Sequence, residues 1–218
     1  MCFHSKQSKK AQTVEKRFNA TVENITLFES QTEFNGFSYP KTPIITNTNT
    51  NTNTNTNTSK VQLFNWGLIP KWSNNIDIRQ YTLNARIETI KEKASFKHNI
   101  NNRCLIIADG FYEWKWLDNK GKNKQKHLIS LPNDELYAYA GIYDQWINED
   151  TGEIINSYTI ITTEANELMA EIHRKKRMPV ILNPEDEINW LKGDEIDNYK
   201  FPYSVNLVAT NLDAQLTL

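Results

Sequence analysis

Residues 104–116 read Cys104-Leu105-Ile106-Ile107-Ala108-Asp109-Gly110-Phe111-Tyr112-Glu113-Trp114-Lys115-Trp116. The stretch is rich in β-branched and aromatic residues, a composition that favours a β-strand. In an extended strand Phe111, Glu113 and Lys115 share one face, and the three remaining aromatic side chains share the other. Cys104 opens an apolar run and is predicted to be a small core residue. The segment therefore predicts a strand that carries a carboxylate inside an aromatic cluster.

Further segments have the same composition and are predicted strands: 61–68, 127–131, 137–143, 157–162 and 205–209. Residues 118–121 and 150–152 are typical of hairpin turns, so neighbouring strands are expected to be antiparallel. Helices are predicted over 9–18, with Ser8 as N-cap, and over 87–93, 164–173 and 184–191. Many strands with few helices predict an α+β fold, with a curved or barrel-like, mostly antiparallel β core and peripheral helices.

The length of 218 residues, with 39% hydrophobic and 23% charged content, predicts a single domain over residues 1–218. Residues 46–58 alternate Asn and Thr without an apolar residue, which predicts a mobile loop inserted in that domain. No apolar run approaches ~18 residues and the first twenty residues are polar, so we expect neither a membrane span nor a secretory signal, and a cytoplasmic protein. Two cysteines and four scattered histidines predict neither a disulfide framework nor a metal site.

Charge is distributed unevenly along the chain. The net charge is -1, yet residues 1–130 carry +9 and residues 131–218 carry -10. Such a division can create a basic face suited to a polyanion. Alternatively, the two halves interleave in the fold and neutralise one another.

Cys2 follows Met1, and methionine aminopeptidases act when the second side chain is small. Removal of Met1 leaves a 1,2-aminothiol, whose amine titrates near ~8 and whose thiol titrates near ~8.5. Aldehydes are its natural electrophile, since the amine forms an imine and the thiol then closes a five-membered thiazolidine. The alternative is that Cys2 belongs to a frayed terminus.

Polar residues at three further places could serve such chemistry. Aromatic neighbours would raise the pKa of Glu113 so that it exchanges protons near neutrality, unless it is a surface residue paired with Lys115. Asn84 and Arg86 lie two residues apart, hence on one face of a strand, and could hold a phosphate or sugar oxygen. Arg86 could equally pair with Glu88.

His173 begins the basic run 173–177 after a predicted helix. It could be a proton shuttle and the run a phosphate clamp, or both could complement the helix C-terminus. Trp66 ends a strand before Pro70, where an exposed ring could stack on a base or wedge between bases. Burial in the core is the alternative for Trp66.

Taken together, these segments resemble one family, the SRAP domain (SOS-response-associated peptidase, also called abasic-site processing protein). The motifs run in the family's order through nearly the whole chain: Met1-Cys2, Trp66-Gly67-Leu68-Ile69-Pro70, Asn84-Ala85-Arg86 with Glu88-Thr89, Asp109-Gly110-Phe111-Tyr112-Glu113-Trp114, Thr162-Thr163 with Ala165-Asn166, and His173 with Arg177-Met178-Pro179.

The resemblance implies a DNA-repair protein of the DNA-damage response that recognises abasic sites in single-stranded DNA. Cys2 would form a covalent thiazolidine cross-link with the aldehyde of the ring-opened sugar, by lyase-like Schiff-base chemistry. Glu113 would manage protons on the Cys2 amine, and Asn84 would position Cys2 or the sugar. His173 would assist opening of the sugar ring and reversal of the cross-link. No metal or organic cofactor is implied.

The resemblance also implies two kinds of DNA contact. Arg86 would contact a phosphate, and Trp66, with Pro40, would block the stacking path. The chain departs from the family's opening, Met-Cys-Gly-Arg, by having Phe3 and His4. One expected phosphate contact is thereby lost. His4 could still donate hydrogen bonds, and a nearby lysine (Lys6, Lys9 or Lys10) could substitute.

Two other functions are compatible with the same residues. The first is a thiol peptidase, a hydrolase with Cys2 as nucleophile and His173 as base. The second is a non-covalent nucleic-acid module, which leaves an N-terminal aminothiol unexplained. The sequence does not fix the oligomeric state, and a monomer is the expectation.

Overall fold

The computed structural model of the chain describes residues 2–49 and 59–214. The α-helices of this part are α1 (Ala11–Phe18), α2 (Glu167–Ile172) and α3 (Glu187–Lys192). The strands are β1 (His4–Gln7), β2 (Ala20–Val22), β3 (Gln31–Asn35), β4 (Lys41–Thr46), β5 (Ser59–Trp66), β6 (Asn84–Arg86), β7 (Arg103–Ala108), β8 (Gly110–Trp116), β9 (Lys124–Ser130), β10 (Tyr137–Ile147), β11 (Ile154–Glu164), β12 (Arg177–Pro179), β13 (Ile181–Leu182) and β14 (Val208–Asn211).

The larger sheet closes on itself. Its order is β12-β11-β10-β7-β4-β5-β2, with β13 on β10 and β6 on β11. Because β11 also pairs with β5, the strands β11, β10, β7, β4 and β5 form a closed ring. All pairs in this ring are antiparallel except β5–β11, which is parallel. The predicted α+β fold with a barrel-like, mostly antiparallel β core is confirmed.

A second sheet carries the N-terminal strand. Its order is β14-β9-β8-β1-β3, and its pairs are antiparallel. An apolar cluster lies between this sheet, the barrel and α2, and includes Cys2, Trp66, Phe111, Tyr139 and Met169. Another cluster packs α1 and α3 against the barrel. The N-terminal strand is thus held between layers instead of fraying.

Several sequence predictions were right in type and inexact at their ends. The predicted strands 61–68, 127–131, 137–143 and 157–162 correspond to β5, β9, β10 and β11. The strand predicted over 205–209 corresponds to β14, which begins only at Val208. Both predicted hairpin turns join antiparallel neighbours, β8 to β9 and β10 to β11. The helix predicted over 184–191 is a short 3-10 turn followed by α3.

Other predictions were wrong. Residues 87–93 form hydrogen-bonded turns and not a helix, and they contain the β-branched Ile87, Thr89 and Ile90. The helix predicted over 164–173 begins only at Glu167, because Glu164 still belongs to β11. Ser8 does not cap α1, since its amide and hydroxyl donate to Asp109 instead.

The Asn-Thr segment predicted as a loop over 46–58 begins inside a strand. Thr46 is the buried last residue of β4, and residues 47–49 form a 3-10 turn in which the Asn47 side chain donates to the Asn101 carbonyl. Residues 50–58 lie outside the described residues. In the part of the chain that is described, no helix is long and apolar enough to cross a bilayer.

Asp109 divides the predicted strand 104–116 into β7, in the barrel, and β8, in the second sheet. Its carboxylate is completely buried and accepts from Lys6 Nζ at 2.9 Å, from the Ser8 amide at 2.9 Å and from Ser8 Oγ at 2.5 Å. The Asp109 amide donates in turn to the Lys6 carbonyl. This junction therefore fixes β1 to the crossing point of the two sheets.

We predict that Asp109→Asn lowers the free energy of unfolding by about 3 kcal/mol, because Lys6 would remain buried beside a neutral amide. Asp134→Asn is the matched control, since Asp134 also contacts Lys6 Nζ, at 3.0 Å, but its side chain is 49% exposed. The Asp134→Asn variant should lose less than about 1 kcal/mol of the free energy of unfolding. Urea unfolding at pH 7 measures both, and equal losses would contradict the role given to Asp109.

Candidate active site

Cys2 lies at the start of the second sheet, and contacts on both sides fix its backbone. The Cys2 carbonyl accepts from Asn84 Nδ2 at 2.9 Å, and the Phe3 carbonyl accepts from the Gly36 amide at 2.8 Å. A Cβ at Gly36 would come within 3.3 Å of both the Phe3 carbonyl and the Trp66 ring. Glycine at this position therefore allows the N-terminal segment to pack closely.

The Cys2 thiol is fully buried. Its sulfur donates weakly to the His4 carbonyl, at 3.8 Å, and lies in one buried cluster with Tyr139. Burial, together with the nearby Glu113 carboxylate, raises the pKa of the thiol to about 12. At neutral pH the sulfur is therefore held as a thiol and not as a thiolate.

Glu113 is carried by β8 and is 8% exposed. Burial raises the pKa of its carboxyl from 4.5 to about 7. Near neutral pH the group is thus divided between its acid and its carboxylate forms, which suits a residue that both takes and gives protons.

His173 caps the C-terminus of α2, and its side chain points back toward β8. Its Nδ1 accepts from the Arg177 amide at 3.2 Å, so in the neutral ring Nε2 carries the proton. Nε2 lies 3.9 Å from Glu113 Oε1. Burial, with the positive charges of Lys175 and Arg177, lowers the pKa of His173 to about 4. The contact is therefore not an ion pair at pH 7, because the imidazole is neutral.

Asn84 reaches the site from β6, which pairs in parallel with β11. The residue is 9% exposed, and its Nδ2 is used on the Cys2 carbonyl. Within residues 2–49 and 59–214, its buried Oδ1 has no hydrogen-bond partner. The amide can thus hold Cys2 with one end and accept from a ligand with the other.

A groove of about 550 Å³ leads to Glu113 and His173. Lys124 lies 4.9 Å from the Trp116 ring centre and Arg174 lies 4.3 Å from it, so the indole holds two cations at the rim. The groove is lined by aromatic and basic side chains beside the two titratable ones: Phe3, Glu113, Trp114, Trp116, Lys124, His173, Arg174 and Lys175. It suits an anionic ligand with flat apolar parts.

A second groove, of about 410 Å³, shares Lys175 with the first. Arg86 is exposed there, at the end of β6. Glu88 does not need Arg86 as its partner, because it forms a bidentate ion pair with Arg177 at 2.7 and 2.9 Å. Lys175 thus stands between the groove at Glu113 and His173 and the groove that holds Arg86.

Four predicted site residues, Cys2, Asn84, Glu113 and His173, are therefore brought together from β1, β6, β8 and the end of α2. Trp66 is different, and the prediction of an exposed stacking ring is wrong. It is fully buried, with Nε1 donating to the Leu83 carbonyl and its ring stacked on Tyr158.

Pro40 lies beside Trp66 but is only partly buried, and its carbonyl accepts from the Trp66 amide at 2.9 Å. Of this pair, only Pro40 is accessible.

The N-terminal residues suggested as replacement phosphate contacts are largely engaged within the protein. His4 Nδ1 lies 2.8 Å from Glu33 Oε1, and the His4 ring packs edge-on against Trp114. Lys6 is buried in its ion pair with Asp109, so it is not available to DNA. Lys9 pairs with Asp134 at 3.2 Å, whereas Lys10 is exposed.

Sequence reasoning missed Tyr139 and the cations held by Trp116. The Tyr137-Ala138-Tyr139 alternation places both phenols on one strand face, and this signal could have indicated a buried hydroxyl pair. Lys124 faces Trp116 across the β8–β9 hairpin, whereas the contact of Arg174 with the same ring had no such signal, because Arg174 comes from a distant segment. Within the described residues, no group of three or more His, Cys, Asp or Glu side chains could hold a metal ion.

The family model for SRAP, described as "SOS response associated peptidase", matches residues 1–214. The chain belongs to the SRAP family. Over 133 residues, 61% of this chain, it is 47% identical to the abasic site processing protein YoqW of Bacillus subtilis. Over 154 residues, 60% of this chain, it is 34% identical to the abasic site processing protein HMCES of Xenopus tropicalis.

These matches span 57% of YoqW and 44% of HMCES. Among solved structures, a protein from Bacteroides thetaiotaomicron superposes with a TM-score of 0.82 at 34% identity, covering 96% of this chain and 91% of that one. A Bordetella bronchiseptica protein at 24% identity shares the fold, with a TM-score of 0.77 over 97% of this chain and 99% of that one.

We predict that Glu113→Gln stabilises this SRAP protein at high pH. The pKa of Glu113 rises from 4.5 to about 7 on folding, so ionisation favours the unfolded chain between these values. The parent should lose stability as pH rises from 4.5 to 7. The variant should match it near pH 4 and exceed it by about 3 kcal/mol at pH 8.

Calorimetric Tm values at pH 4 and pH 8 measure this difference. Glu88→Gln is the control of opposite sign, since the hydrogen bonds from Arg177 hold the pKa of Glu88 below its ordinary value and the variant should lose stability at pH 8. A Glu113→Gln protein no more stable than the parent at pH 8 would argue against a raised pKa.

Proposed function

We propose that the chain recognises abasic sites in single-stranded DNA and, once Met1 is removed, links Cys2 covalently to the damaged sugar as a thiazolidine. The observation that carries this proposal is the position of Cys2, whose backbone is held by Asn84 and whose thiol lies buried near Glu113. Glu113 and the neighbouring Phe3 line a basic and aromatic groove. The names of YoqW and HMCES as abasic site processing proteins support it.

The reaction needs one amine, one thiol and an aldehyde. The Cys2 amine attacks C1′ of the ring-opened deoxyribose, and loss of water gives an imine. The thiol then adds to the same carbon, the C=N electron pair moves to nitrogen, and the sulfur proton leaves. One water is released and no oxidant is consumed. Because burial keeps the thiol protonated, the thiol is protected from side reactions before the imine forms.

Glu113 is suited to both proton transfers of imine formation. As a carboxylate it takes a proton from the Cys2 ammonium group, and as an acid it returns one to the departing hydroxyl. His173 stays neutral at pH 7 and presents its Nε2 proton toward the same place, where it can donate to the sugar oxygen during ring opening. Asn84 holds the Cys2 carbonyl so that the amine faces these groups.

The grooves suit a single strand. Exposed Arg86 and the cations on Trp116 provide phosphate contacts that do not depend on base sequence. Pro40 is the accessible residue that could limit stacking, while Trp66 supports it from the core. Action on DNA agrees with the expected cytoplasmic location.

A thiol peptidase is the second candidate, favoured by the family description and by a neutral histidine near Cys2. The thiol pKa of about 12 favours cross-linking instead, because a peptidase needs an accessible thiolate, whereas ring closure needs only a thiol beside an imine.

We predict that the protein forms a denaturation-resistant adduct with a single-stranded oligonucleotide that contains one abasic site. Cys2→Ala, or retention of Met1, should abolish the adduct, because each removes one nucleophile of the aminothiol. Cys104→Ala is the matched control, since Cys104 is a buried cysteine in the barrel strand β7. Denaturing gels measure the adduct, and an undamaged oligonucleotide should give none.

A full-strength adduct from Cys2→Ala would refute the N-terminal mechanism. Hydrolysis of a peptide bond that precedes a cysteine, without formation of any DNA adduct, would favour the peptidase.

We also predict a pH dependence of the cross-linking rate. The rate should rise between pH 6 and pH 8 with a midpoint near 7, as Glu113 becomes a carboxylate. Glu113→Gln should lower the rate about 100-fold and leave only the titration of the amine, near ~8. His173→Ala should slow the reaction without moving the midpoint, because this ring is already neutral above about pH 4. Time courses under single-turnover conditions separate these outcomes, and an unmoved midpoint in Glu113→Gln would exclude Glu113 as the base.

A further inference from the structure

Two buried tyrosines, Tyr137 and Tyr139, belong to the same buried cluster as Cys2. Tyr137 and Tyr139 both belong to β10 and are 1% and 0% exposed. The Tyr137 hydroxyl donates to Tyr139 Oη at 3.0 Å, and Ser5 Oγ lies 3.3 Å from the same oxygen. Phenol oxygens so deep in a core are costly to bury, so their arrangement calls for a reason beyond packing.

The hydroxyl proton of Tyr139 can go to the Gly110 carbonyl, at 3.2 Å, or to Ser5 Oγ, at 3.3 Å. The Cys2 sulfur lies in the same buried cluster as Tyr139, and a hydrogen bond from this hydroxyl acts to lower the pKa of the thiol, against the larger effect of burial. The Tyr137 hydroxyl occupies a lone pair of Tyr139 and polarises its O–H bond. Tyr139 is therefore a donor that can turn between a backbone oxygen and the sulfur.

We propose that Tyr139 assists closure of the thiazolidine ring by donating its hydroxyl proton as a hydrogen bond to the Cys2 sulfur while that sulfur loses its own proton. The inference rests on the proposed function and adds a residue to its second step. The bond from sulfur to C1′ forms, the C=N pair moves to nitrogen, and the sulfur proton passes to the Glu113 carboxylate. Tyr139 keeps its proton throughout.

The burial of the sulfur is what makes this help necessary. The His4 carbonyl, which also contacts the thiol, is an acceptor and cannot stabilise negative charge on sulfur. A hydroxyl donor counters part of the desolvation that opposes charge there. Burial also holds the pKa of Tyr139 well above its ordinary value, so the phenol acts as a hydrogen-bond donor and not as an acid.

The test is Tyr139→Phe, which removes the hydroxyl and keeps the ring. Each reaction with an abasic oligonucleotide is divided into two halves. One half is quenched with borohydride, which traps the imine. The other half is denatured without borohydride, so that only the thiazolidine adduct survives. In Tyr139→Phe, the total adduct trapped by borohydride should form at a rate within about twofold of the parent rate, because imine formation does not involve sulfur. The adduct that survives without borohydride should form about 10-fold to 100-fold more slowly, as expected for a hydrogen bond to a charged group.

Tyr158→Phe is the matched control, because Tyr158 is also buried and its hydroxyl bonds Thr42 Oγ1 at 2.6 Å. It should leave both yields unchanged. Tyr137→Phe should give a smaller effect in the same direction as Tyr139→Phe, and serves if the latter does not fold. Equal loss of both yields in Tyr139→Phe, or no loss in either, would overturn the proposal.

A second measurement, without DNA, separates failure of this inference from failure of the proposed function. In a Cys104→Ala background, alkylation by iodoacetamide at pH 9 reports on Cys2 alone, and Tyr139→Phe should slow it about 10-fold while Tyr158→Phe does not. If the parent forms no adduct with DNA but alkylation slows as stated, the contact is right and the proposed function is wrong. Unchanged alkylation means that Tyr139 does not stabilise the sulfur.

Discussion

The buried ion pair between Lys6 and Asp109 is the constraint on which the arrangement depends. Asp109 stands where the chain leaves the barrel and enters the second sheet, and it binds the side chain of Lys6 and the backbone of Ser8. Strand β1, which begins two residues after Cys2, is thereby inserted between β8 and β3. A terminus that would otherwise fray becomes an internal strand, and its reactive residue acquires a fixed environment.

One physical cause then sets the protonation of the whole site. Removal from water disfavours every charged form, so it raises the pKa values of the thiol and of Glu113 and lowers that of His173. At pH 7 the result is a neutral thiol, a neutral imidazole and a carboxyl that is half ionised. Such a set can move protons without holding a fixed charge, which is what the proposed steps of imine formation and ring closure would require.

The charge division along the sequence is resolved by interleaving of the two halves. Ion pairs join the basic N-terminal half to the acidic C-terminal half: Lys6–Asp134, Arg17–Glu187 and Lys91–Glu195. The basic rim of the site draws on both halves, with Lys124 from one and Arg174 from the other meeting on Trp116. Local convergence, and not the overall asymmetry of charge, therefore makes the surface suited to a polyanion.

The sequence by itself determined the type of most of the elements it predicted, the antiparallel barrel-like core and the candidates Cys2, Glu113, Asn84 and His173, because strand composition, turn residues and motifs are local signals. The helix predicted over 87–93 is the exception. It could not decide whether Trp66 faces DNA or the core, nor that Tyr139 and Cys2 lie in one buried cluster. Those outcomes depend on which strands become neighbours and on how much water each side chain loses. Only the tertiary structure brings residues more than a hundred positions apart into contact, and only burial in that structure shifts their pKa values.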